Sequence, residues 1–234
     1  FILRELMSSG LAPNIRSAKN LIDHRINEVY DMLEKVTKDS YVLLNRAPTL
    51  HKLSMLAFKP VLTDGLAIRL HPCVCKGFNA DFDGDMMGVH LPLSKKAQEE
   101  AENLMLPSVN LLKPADGSPI SIPSQEMAVG CYYITSVRQQ DTKLLEREGF
   151  EGIPLLADTQ EVELAYSSGK IDLRELIAVR INGKMTKTTY GRIWFNTILP
   201  ENFDFINEPM AGSRSLSDLI IRCLETNGNE RTVE

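Results

Sequence analysis

Apolar residues at Ala18, Leu21, Ile22, Ile26, Val29, Leu33 and Val36 recur at three- and four-residue spacing. That period predicts one amphipathic helix from Asn14 to Val36, with Asn14 or Ser17 as its cap. From Tyr41 to Leu70 the pattern shortens to "YVLL", "LSMLAF" and "LAIRL", broken by Ala47-Pro48, Pro60 and Asp64-Gly65, which reads as strands and turns. Ser94 caps a predicted helix, "KKAQEEAENLML", that Pro107 stops. "LLKPADGSPISIP" reads as loop, and Ser124 opens a short helix, "QEMAVGCYYIT". Asp158 and Glu161 form a capping box for a helix ended by Gly169, and "ELIAVRI" and "KMTKT" flank Asn182-Gly183 as a hairpin. "SLSDLIIRCLETNG" is a last helix with Gly228 at its C-terminal end. The expected fold class is α+β.

The 234 residues, 43% of them hydrophobic, suffice for one large or two modest cores. A net charge of -5 excludes a uniformly basic nucleic-acid coat, though a local patch can outweigh the sum. Cys73, Cys75, Cys131 and Cys223 fit neither a disulfide framework nor a paired zinc motif, and are expected to be reduced, mostly buried thiols of a cytoplasmic protein. No apolar run reaches the roughly 18 residues of a membrane span. The opening "FILREL" and the ending "NERTVE" suggest an internal piece of a larger protein.

One stretch changes the picture. "FNADFDGDMMGVH" places Asp81, Asp83 and Asp85 at alternate positions around Gly84. Three carboxylates so close repel one another unless a cation neutralises them. Their neighbours Phe78, Ala80, Phe82, Met86, Met87 and Val89 have core composition, so the carboxylates are expected to face a pocket. Met105 and Met127 are likewise read as core. On a straight strand Asp81 and Asp85 would stand about 13 Å apart, too far to share one ion bonded at about 2.1 Å. Gly84 can supply the reversal that brings them together. All-oxygen ligation suits Mg²⁺ or Mn²⁺ rather than zinc. An EF-hand loop starting at Asn79 would need Glu at its twelfth position, where His90 stands, and an entering helix that the pattern does not predict. A haloacid-dehalogenase phosphatase would place Asp81 at the end of a buried strand, and "PCVCKGFNA" is a poor one.

Asn79 to Asp85 matches the signature of the largest catalytic subunit of multisubunit DNA-dependent RNA polymerases. "LLNRAPTLHKL", "FKPVLTDGLAIRLHPCVC", "VHLPLSKKAQEEAENLML", "LLKPADGSPISIPSQEM" and "GCYYIT" resemble the bacterial β′ type in the same order. That family usually continues Gly-Asp-Gln-Met-Ala, where this chain has Met86 and Gly88. Glu126 replaces the usual Asp after "PSQ".

The resemblance implies a helical segment over 1–40, part of a double-psi β-barrel with the metal loop over 41–106, and a mixed α/β pore region over 107–234. It implies that Asp81, Asp83 and Asp85 hold the catalytic Mg²⁺, while a second ion arrives with the nucleoside triphosphate. It assigns Arg46 and Asn79 to the ribose hydroxyls of that nucleotide and Gln125 to the vicinity of the active centre. The ordinary alternatives are an ion pair for Arg46, a turn-forming amide for Asn79 and a helix-start polar residue for Gln125. Five basic residues between Asn45 and Gly77 (Arg46, Lys52, Lys59, Arg69 and Lys76), against Asp64 alone, suit a phosphate-rich substrate. His51 and His71 read as packed or hydrogen-bonded side chains, and His90 as a brace for the loop. Implied partners are the β, α and ω subunits, a sigma factor, template DNA, nascent RNA and nucleoside triphosphates, in the cytoplasm or a plastid. The family's bridge helix and trigger loop would lie beyond Glu234, so the chain alone is expected not to polymerise RNA. A divalent-metal phosphatase and a non-catalytic interaction module are the alternatives.

Overall fold

The computed structural model describes residues 1–233 and is α+β, with two three-stranded sheets among those residues. Residues Phe1 to Ala115 form one compact unit, and those from Asp116 onward form a second.

In the first unit, α1 (Ile2–Ser8), α2 (Ile15–Asp23) and α3 (Asn27–Lys38) bury Leu6, Ala12, Ala18 and Val29 against one another. The Asn14 side chain accepts the Ser17 N–H at 2.8 Å and starts α2. The single helix expected from Asn14 to Val36 is two, because Arg25 adopts φ +50° and Ile26 is extended. The apolar period runs through the break because Leu21 and Ile22 before it and Ile26 after it pack on the same cluster.

Strand β1 (Val42–Asn45) lies between β2 (Met55–Phe58) and β3 (Gly88–His90), antiparallel to both. Leu44 faces Leu56 on one side and Val89 on the other. Residues 66–70, expected to be a strand, are irregular, and Leu66 and Ile68 project into solvent. Alternation alone does not make a strand without a ladder partner. The segment before the aspartates holds a helix, α4 (Pro72–Phe78), which buries Val74 and Phe78. Pro72 sits at its first turn, and the His71 ring accepts the Cys73 N–H at 3.2 Å, so His71 is a cap. Helix α5 (Lys95–Met105) starts where Ser94 accepts the Ala97 N–H. Gln98 on α5 bonds both backbone groups of Tyr41 and the Pro92 carbonyl, tying this helix to the root of β1.

In the second unit, α6 (Glu126–Thr135), the short α7 (Thr142–Glu146), β4 (Leu155–Leu156) and α8 (Thr159–Ser167) precede a hairpin of β5 (Ile177–Ile181) and β6 (Lys184–Thr188). Asn182 and Gly183 both take positive φ, the geometry of a tight hairpin turn. Asp158 accepts the Glu161 N–H at 2.9 Å as expected, and the Glu161 carboxylate reaches back to Ala157. Helix α9 (Tyr190–Thr197) packs on α6, and α10 (Ser213–Val233) is interrupted at Gly228, φ +74°. Arg192 on α9, only 3% exposed, donates to the Thr135 carbonyl and to two oxygens of Asn207.

Only Cys223 is fully buried; Cys73, Cys75 and Cys131 are half-buried free thiols, correcting the expectation of mostly buried ones. Among the described residues no helix is long and apolar enough to cross a membrane.

Candidate metal centre

Strand pairing sets the site. Asn45, the last residue of β1, faces Gly88, the first of β3. Arg46 therefore leaves the sheet at the end where the loop carrying Asp81, Asp83 and Asp85 enters it. The loop starts at Asn79, which ends α4 in the left-handed conformation (φ +50°, ψ +44°), while Ala80 donates back to the Cys75 carbonyl at 3.0 Å. Asparagine tolerates that region better than most residues, so the turn-forming role is present. The Asn79 side chain is exposed.

Gly84 takes φ +123° and reverses the chain. One carboxylate oxygen from each of Asp81, Asp83 and Asp85 then lies within 4.8 Å of the others. The convergence required for a shared ion is thus met by the backbone. The donor set is all oxygen, hard and anionic, which fits Mg²⁺ or Mn²⁺.

The site is electrostatically uneven. Arg46 Nε and Nη2 meet Asp85 Oδ2 and Oδ1 at 2.7 and 3.2 Å, and the Asp81 N–H also donates to Asp85 Oδ2, at 3.1 Å. The Arg46 hydrogen bond, with the Asp81 N–H, holds the Asp85 carboxyl below the usual range. Asp83 is pushed the other way, first by a hydrogen bond with Asp81 and then by its charge. Two adjacent carboxylates thus differ in proton affinity because one has a cationic partner and the other an anionic neighbour.

The expected pocket is corrected. Phe78 is buried, but Phe82, Met86 and Val89 are exposed, as are the three aspartates. Residues 81–86 are spent on the reversal, and all six are exposed instead of alternating onto a sheet face. Met86, expected in the core, is 87% exposed, while Met87, Met105 and Met127 are half-buried. The EF-hand comparison also changes, because α4 does precede the loop; His90 at the twelfth position, now on β3, still rules against it. The phosphatase arrangement loses its buried strand, since α4 stands in its place.

His51 Nδ1 lies 3.4 Å from Ser54 Oγ, a local contact. Gln125 belongs to the second unit, where it opens α6 at φ +50° without a side-chain capping bond. Arg46 makes the ion pair that is its ordinary alternative, and only the identity of its partner, 39 residues away, is not legible in the sequence.

Comparison with known proteins gives the family of the chain. Residues 7–107 match the family RNA polymerase Rpb1, domain 2, and residues 110–234 match RNA polymerase Rpb1, domain 3. The DNA-directed RNA polymerase subunit beta' of Sulfurihydrogenibium sp. (strain YO3AOP1) is 48% identical over 230 residues, covering 98% of this chain and 14% of the relative. That of Desulforamulus reducens is 45% identical over 235 residues, covering 100% and 19%. The Dehalococcoides mccartyi (strain CBDB1) protein is 49% identical over 224 residues, covering 95% and 17%. The chain belongs to the RNA polymerase Rpb1 family, spanning its domains 2 and 3. It covers 14 to 19% of the length of these three bacterial β′ relatives.

Proposed function

We propose that the chain is the catalytic-centre segment of a DNA-dependent RNA polymerase, in which Asp81, Asp83 and Asp85 hold the Mg²⁺ used for nucleotidyl transfer to the RNA 3′ end. The observation carrying this reading is the convergence of the three carboxylates within the stretch matching Rpb1 domain 2. When bound, the ion lowers the pKa of the RNA 3′-hydroxyl, and a second ion comes with the nucleoside triphosphate.

The chain's own residues do the positioning. Asp81, Asp83 and Asp85 would hold the ion, each through one carboxylate oxygen. Arg46, at the end of β1, donates to a ribose hydroxyl of the incoming nucleotide, and Asn79 supplies a second polar group at the loop entrance. A deoxynucleotide would leave these donors unpaired. In this reading the β2-β1-β3 sheet is part of a double-psi β-barrel over 41–106, and 107–234 is pore region. The assembly includes β, α, ω and sigma subunits with template DNA and nascent RNA, in the cytoplasm.

Mn²⁺ titration tests the metal site. Amide signals from Asn79 to Gly88 should broaden in the wild-type chain and stay sharp in the Asp81, Asp83, Asp85 triple-Ala variant. Equal broadening in both would show that the ion is held elsewhere.

A further inference from the structure

The Asp85 carboxylate is nearly saturated. A carboxylate accepts about four hydrogen bonds, two per oxygen. Oδ2 already takes Arg46 Nε and the Asp81 N–H, and Oδ1 takes Arg46 Nη2. One acceptor position on Oδ1 remains, so a cation that draws on both oxygens must take a position that Arg46 or the Asp81 N–H now holds. The side chains of Arg46 and Asp85 are 21% and 23% exposed, so the pair lies at the surface and keeps part of its contact with water. The register Asn45↔Gly88 brings the end of β1, next to Arg46, beside the end of the loop that carries Asp85.

We propose that the Arg46 guanidinium fork and a divalent cation compete for Asp85, so that cation binding by the triad releases Arg46 for contact with a second ligand. The inference rests on the reading that the triad binds the ion. It adds a coupling: the residue that contacts the nucleotide sugar becomes available only as the ion takes Asp85. Arg46 cannot give its Nε and Nη2 hydrogens to Asp85 and to a hydroxyl at full strength at once, because a fork used bidentately on a carboxylate has both facing donors committed.

The test is Mn²⁺ affinity by electron paramagnetic resonance in the full-length subunit carrying this segment, comparing wild type with Arg46→Gln, Arg46→Lys and the triple-Ala variant. Competition requires Arg46→Gln to bind Mn²⁺ about tenfold tighter or more, a gain of about 1.4 kcal/mol. Arg46→Lys, which keeps the charge but loses the bidentate fork, must also bind more tightly than wild type. Added Mg²⁺ should shift the wild-type Arg46 Nε–H resonance and speed its exchange. An unchanged affinity in Arg46→Gln would overturn the proposal. So would a gain in Arg46→Gln with Arg46→Lys equal to wild type, because charge repulsion alone would then account for it. Undiminished binding in the triple-Ala variant is a different result, removing the metal site itself and the competition with it.

Discussion

The Asp81 N–H donates to Asp85 Oδ2 at 3.1 Å, so the loop bearing the carboxylates is closed by one of its own acidic side chains. The closure depends on the reversal at Gly84. A residue with a Cβ is strained at φ +123° even though open space surrounds Gly84. Such strain costs about 1–3 kcal/mol. Gly84→Ala should open the loop and weaken Mn²⁺ binding by about tenfold, measured by calorimetric titration, with the melting temperature nearly unchanged because the loop is exposed.

The carboxylates should titrate apart. Asp85, stabilised as the anion by Arg46, stays ionised to lower pH than an ordinary aspartate; Asp83, hydrogen-bonded to Asp81, takes up its proton at higher pH. As pH falls, Asp83 therefore protonates first and Asp85 later. Carbon-detected carboxyl shifts would show the order, and Arg46→Gln should move the Asp85 midpoint upward. Coincident midpoints in the wild type would contradict the pairing of Asp85 with Arg46 and the Asp81 N–H.

In the second unit Arg192 is the buried cation on which three elements converge. It bonds the Thr135 carbonyl at the end of α6 and Asn207 in the loop after α9, and burial lowers its own pKa. Arg192→Met leaves buried acceptors unpaired and should cost about 2–4 kcal/mol. Beside it, Gly191 lies so close to the Ile134 carbonyl that a Cβ would overlap it. Gly191→Ala should cost about 1–3 kcal/mol by forcing α9 away from α6. Chemical denaturation of each variant measures both effects.

If Arg46 contacts the ribose, Arg46→Ala in the assembled enzyme should reduce discrimination between ribo- and deoxynucleotides. A charged hydrogen bond of about 1.5–3 kcal/mol corresponds to roughly 10- to 150-fold. Competition between GTP and dGTP on one template reads it; equal loss for both sugars would defeat the assignment.

Local chemistry made much of this fold legible. Asn14, Ser94 and Asp158 each announce a helix start through a short polar side chain, and Asn182-Gly183 announces a hairpin through φ > 0. Helix α4 was missed because seven residues give too little period, although Pro72 and Asn79 mark its two ends. Helix α9 is short and holds Gly191 among aromatic residues, all weak helix formers, so its start is marked chiefly by Thr189, whose side chain accepts the Arg192 N–H. The break at Arg25 was hidden because both helices face one core. At the site, the spacing of Asp81, Asp83 and Asp85 around Gly84 foretold their convergence. The engagement of Asp85 by Arg46 is tertiary, created by the β1–β3 register, and a period or a cap carries no trace of it.

The most direct test of the central claim is template-directed extension of a radiolabelled RNA primer by the assembled polymerase with Asp83→Ala, in Mg²⁺ and four ribonucleotides, after verifying that the variant assembles. The account requires extension to fall to background while nucleic-acid binding persists. Extension within a fewfold of wild type would mean that these carboxylates do not form the catalytic centre.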